Sequence, residues 1–156
     1  MQRSSLLVTF SVVDAIAAGA RSESEVWAAA LRQAPEWEPV FSPLAPDALA
    51  LGLETVYEAY LVHYGRPRLF DPPDGDEAVL LGDYLYAHGL VRIAEAGGVD
   101  AVRVLADLIS RCAALRADRL DGDGEAWVEA AWALGGDPAD DAVTRALQLH
   151  CARVAS

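Results

Sequence analysis

The chain has 156 residues, 24 of them acidic and 12 basic, for a formal net charge of −12. That length suits one domain able to bury a core without disulfides or metal, and that charge repels phosphate backbones and anionic membrane surfaces, which excludes nucleic-acid binding. Every basic residue is arginine, so Schiff-base chemistry and a phosphate-loop lysine are also excluded.

Seven helical segments and no strand are expected from the apolar spacing, caps and breakers. The first covers Ser5 to Ala18, with Leu6, Phe10, Val13 and Ala17 on one face. Arg3, the run Leu6 to Val13 and Ala18-Gly19-Ala20 superficially resemble a secretory leader, but Asp14 interrupts the run and helical spacing favours an amphipathic helix. The second segment starts at Ser22 or Ser24, carries Val26, Trp27, Ala30 and Leu31 on one face, and stops at Pro35. "PEWEPVFSPLAP" holds four prolines and reads as an irregular connector anchored by Trp37 and Phe41.

The third helix runs from Pro46 to Tyr64, where Gly65-Arg66-Pro67 ends it. The fourth is "EAVLLGDYLYAHGLVRIAEAGG", Glu77 to Gly98, with Gly82-Asp83 set into an apolar run. Asp100 opens a fifth, with Val102, Leu105, Ala106, Ile109, Cys112 and Ala113 in one stripe. A sixth lies around Trp127 to Leu134, and Asp137-Pro138 caps a last one ending near Val154. Long amphipathic helices on short loops imply a single all-α domain, an antiparallel helical bundle. No stretch reaches the 18 or so uncharged residues of a membrane span. Cys112 and Cys151 lack metal spacing and read as core residues of a reduced, cytoplasmic protein.

Several groups invite chemical readings. Asp71, Asp74, Asp76 and Glu77 form one acidic loop, and Asp118, Asp121, Asp123 and Glu125 another. Either set offers carboxylates to Mg²⁺ or Ca²⁺, yet each sits where a helix begins, and negative charge there is favourable with no metal at all. Asp137, Asp140 and Asp141 read the same way. His63, His88 and His150 fall on separate helices without metal-ligand spacing. Arg66 and Arg68 flank Pro67 and suit a diphosphate, or they balance nearby carboxylates. Tyr57, Tyr60, Tyr64, Tyr84 and Tyr86 stand at helical spacing, as core or as the wall of an apolar pocket.

The stretch "GDEAVLLGDYLYAHGLVRIAEAGGVDAVRVLADLISRC" resembles the trans-polyprenyl diphosphate synthase family, in which a short G-D precedes A-V-L-L-G-D-Y-L-L-A-R-A. Here His88 and Gly89 replace the usual Arg and Ala. Upstream "HYGRPRL" resembles the R-R-G-x-P loop through Gly65 and Pro67, and "EAAWALGGDPADDAVTRALQLHCARVA" resembles the helices that follow. The similarity covers about residues 46–155, and residues 1–45 diverge. It implies part of the isoprenoid synthase fold, with Gly82, Asp83 and Tyr84 as structural family residues. In that setting Gly82 admits a neighbouring helix, and Asp83 is a buried contact to Arg92, Arg103 or Arg111.

The departures concern chemistry. The family binds Mg²⁺ with two D-D-x-x-D motifs, but "ETVYEAYLVHYG" stands where the first belongs, and no second motif occurs. His63 and Tyr64 replace the paired arginines, and the family lysines are missing. The resemblance therefore implies a catalytically degenerate, non-catalytic or regulatory subunit that pairs with itself or with an active prenyl synthase. Trp127, Val128, Trp132 and Leu134, or Leu6 to Val13, offer the pairing faces. No cofactor is expected on this reading. One alternative is a Mg²⁺-dependent prenyl transferase or diphosphate hydrolase built on the Asp71–Glu77 loop. Another is a carrier for an apolar isoprenoid ligand.

Overall fold

The computed structural model describes residues 2–155, with side chains from residue 12 onward. It is an all-helical bundle, and its helices are α1 (Gln2–Glu23), α2 (Glu25–Ala29), α3 (Ala50–Tyr64), α4 (Gly75–Ala117), α5 (Asp123–Ala133) and α6 (Asp140–Val154). That is six rather than seven, because the expected fourth and fifth helices are one long α4. Within it Gly98 leaves the helical conformation, at φ 74°, ψ −168°, and kinks the element where the break was expected. That left-handed conformation is open to glycine at little cost.

Local chemistry accounts for most boundaries. Ser24 caps α2 by accepting from the Val26 N–H, and Asp74 caps α4 by accepting from the Glu77 N–H at 2.9 Å. Gly65 ends α3. Asp137 does not cap α6, which begins three residues later behind Ala139. α2 is shorter than its apolar spacing suggests. The chain leaves it to pair with the loop after α3: Arg32 N–H donates to the Leu69 carbonyl, Glu36 N–H to the Arg68 carbonyl and Asp71 N–H to the Ala30 carbonyl, around a Leu31–Phe70 bridge. Those pairings outweigh helix propensity at Ala30 and Leu31.

α3 is the central element, and every residue from Gly52 to Val62 is buried. α4 packs along it through Leu81, Gly82, Leu85, Gly89 and Ile93, spaced to form one helix face. Glycines on both helices set the approach. A methyl group at Gly89 would lie 2.6 Å from Val56 Cγ2 and 3.0 Å from its backbone nitrogen, and one at Gly52 would lie 2.7 Å from Ile93. Gly82 likewise admits the ring of His63. One core cluster gathers Phe41, Tyr57, Tyr60 and Trp127, with Phe41 stacked on Trp127 at 5.4 Å and Tyr57 edge-on to both. Phe41 is fully buried, so the proline-rich connector is anchored there as expected.

Asp83 corrects an expectation. Its side chain is 68% exposed, and its neighbour is His63 Nε2 at 3.5 Å rather than an arginine. Successive helical residues point about 100° apart, so Gly82 faces α3 while Asp83 turns outward. Arg92 instead crosses to the Thr55 hydroxyl (3.0 Å) and the Ala15 carbonyl (3.2 Å), and Arg111 pairs with Glu129. Cys112 is core as expected, but Cys151 is exposed. Trp127 and Val128 are buried and present no surface, whereas Trp132 is half exposed. Of the other suggested pairing face, Leu6 to Phe10 lies outside the described side chains and Val12 is buried.

Candidate functional site

Two polar centres sit against α3. Helical periodicity turns Glu54 and Glu58, four residues apart, to the same side of this enclosed helix, and the loop after α3 brings Arg68 onto them. Arg68 is fully buried. It donates to Glu54 Oε2 at 2.6 Å, to Glu58 Oε1 at 3.0 Å and to the Glu38 carbonyl at 2.8 Å, with its guanidinium over the Trp37 ring at 4.1 Å. Backbone donors complete the set. Val40 and Ser42 N–H reach Glu54 Oε1, and Arg68 and Leu69 N–H reach Glu58. Burial works against the guanidinium's charge, but the two carboxylates outweigh it and hold its pKa above the ordinary value.

The second centre joins four helices at Asp123, the first residue of α5. Its Oδ2 accepts from the Tyr60 hydroxyl, from Arg116 at 2.8 Å and from His150 Nε2 at 2.9 Å. An ionised carboxylate only accepts, so His150 carries its proton on Nε2, and in the neutral ring Nδ1 accepts from the Tyr57 hydroxyl at 2.8 Å. Arg116 Nε also donates to the Tyr60 oxygen at 2.9 Å. Burial would raise the Asp123 pKa, yet the bonds from His150 and Tyr60 and the charge of Arg116 hold it well below the usual carboxylate range. Burial pushes both tyrosines far above theirs, so they stay protonated donors. This hub backs onto a cleft of about 310 Å³, walled by Leu120, Leu147 and Val154 with Asp121 and Glu125 at its edge. Both imidazole nitrogens are engaged within the protein, which leaves the ring no lone pair to offer a ligand in the cleft.

Of the residues singled out from sequence, Tyr57, Tyr60, Asp123 and His150 meet at this hub, and the others lie apart from it. Asp71, Asp74 and Asp76 are exposed and Glu77 half-buried on the loop entering α4, where Asp74 serves as the cap. Among the described residues, no three of His, Cys, Asp and Glu come together where they would hold a metal ion. Arg66 is exposed and its backbone N–H donates to the Arg153 carbonyl, while Arg68, two residues on, is enclosed with Glu54 and Glu58. Tyr84 stacks on Trp27 at 5.9 Å. His63 lies between Gly82 and Tyr86, where burial lowers its pKa and Asp83 partly offsets that. Set against protein-family models, curated proteins and solved structures, the chain matches none of them.

Arg68 balances nearby carboxylates, one of its two readings from sequence, but sequence reasoning passed over Glu54 and Glu58 as those carboxylates. A signal for them existed: two glutamates at helical i, i+4 spacing in "ALGLETVYEAYLVHY", a segment otherwise too apolar to face water. The Asp123 hub carried no such signal, since its members come from four separate segments of the chain.

Proposed function

We propose that this protein is a catalytically degenerate relative of the polyprenyl diphosphate synthases, acting in the cytoplasm as a non-catalytic subunit that pairs with itself or with an active prenyl synthase. One observation carries the reading. The two carboxylates that α3 turns inward, Glu54 and Glu58, are satisfied by Arg68 and by four backbone N–H groups. In a prenyl synthase, inward-facing carboxylates hold the metal ions that clamp a diphosphate. Here the same kind of helix face is neutralised from within, and the arginine of the "GRPR" loop does the neutralising. A diphosphate leaving group requires several positive charges around it, and Arg68 is already committed.

The test pairs two assays. Purified protein given Mg²⁺, isopentenyl diphosphate and an allylic diphosphate is expected to form no product. Added to an active polyprenyl synthase, it is expected to co-elute and to change the product chain length. Unaided turnover would sink the reading.

A further inference from the structure

The first half of α4 has two unlike sides. Its inner side is buried against α3, whereas Asp76, Leu80, Asp83, Ala87, Val91 and Ala94 follow at three- and four-residue spacing and are all exposed. Leu80 is 60% exposed, Val91 53%, and Val79 beside them 53%. The ridge extends about 30 Å at the helical rise per residue, a length that suits contact with another helix. Its charges have one sign. Asp76, Asp83 and Glu95 border it, and the only arginine in this half, Arg92, is turned inward onto Thr55 and Ala15. Among the described residues, Asp83 has only His63 beside it, and Asp76 and Glu95 form no ion pair.

An exposed apolar ridge bordered by like charges, none of them in an ion pair with an arginine among the described residues, favours one kind of occupant. A second copy would set carboxylate against carboxylate, on a chain already at −12. An amphipathic helix whose apolar stripe is bordered by arginine or lysine covers the leucine and valines and answers the acids together. We infer that the outer face of α4 between Asp76 and Glu95 docks a basic-flanked amphipathic helix of a different protein. The inference rests on the pairing role proposed above and selects, between its two options, the unlike partner.

The probe is a fluorescent 22-residue helical peptide with a Leu/Ala stripe flanked by arginines, with a twin flanked by glutamates. The arginine peptide is expected to bind, the twin at least about tenfold more weakly, and added salt to reduce the affinity. The deciding variant is Leu80→Glu/Val91→Glu, at two exposed positions where folding is expected to survive, as circular dichroism would verify. It makes the face more acidic while removing its apolar contacts, so docking on the ridge predicts at least about tenfold weaker binding. Unchanged or tighter binding would mean diffuse charge attraction and overturn the inference. So would a homodimer in light scattering that this variant dissolves. Unaided prenyl transfer, by contrast, would remove the pairing role without touching the peptide result.

Discussion

Replacing Arg68 with methionine keeps much of the side-chain volume and removes the charge. In the native protein the guanidinium bonds both carboxylates, at 2.6 Å and 3.0 Å, with no exposure to water. The variant leaves Glu54 and Glu58 enclosed with only their backbone donors. Removing one partner of a buried ion pair costs about 3–5 kcal/mol, a large share of the roughly 5–15 kcal/mol that holds a domain folded. At about 2–4 °C per kcal/mol for a chain of this size, the melting temperature should fall by roughly 6–20 °C. Urea and thermal unfolding measure both quantities. Adding Glu54→Gln and Glu58→Gln to Arg68→Met should restore part of the loss, since fewer buried charges remain unpaired. A loss below about 1 kcal/mol would refute the reasoning, as would a triple variant no more stable than Arg68→Met alone.

Asp123→Asn should cost about 1.5–3 kcal/mol at neutral pH, by weakening bonds to an ionised acceptor. Because the folded state depresses this carboxyl's pKa, its contribution is present above the unfolded value near 3.8 and is lost as pH falls below it. The wild-type and variant stability curves, followed by chemical denaturation, should therefore converge in acid. Gly89→Ala, despite a better helix former, should destabilise by about 1–3 kcal/mol because the new methyl meets Val56; an exposed control, Gly75→Ala, meets nothing within 4 Å and should not. Thiol labelling at pH 8 should modify Cys151 rapidly in the native protein and Cys112 only after unfolding, since burial pushes the Cys112 thiol up to about 12.

The helices were legible where their causes are local. Ser24 and Asp74 cap, Gly65 terminates and Gly98 kinks, and each acts through neighbours within a turn. The acidic loop at Asp71 to Glu77 was legible in the same way as a helix entrance. Reading failed where a side chain's direction matters more than its identity. Asp83 sits in an apolar run, yet one helical step separates it from the buried Gly82, and it faces out. Trp127 and Trp132 illustrate the converse, two tryptophans on one short helix with one in the core and the other at the surface.

Composition and spacing by themselves determined that this chain is helical, acidic and built as a bundle, since propensity, capping and apolar period are properties of residues close together in sequence. The tertiary structure alone decided that Arg68 closes onto Glu54 and Glu58, and that Tyr57, Tyr60, Arg116, Asp123 and His150 converge. Those partners are separated by up to 93 residues, and charges that far apart in a chain interact only once packing brings them together out of water.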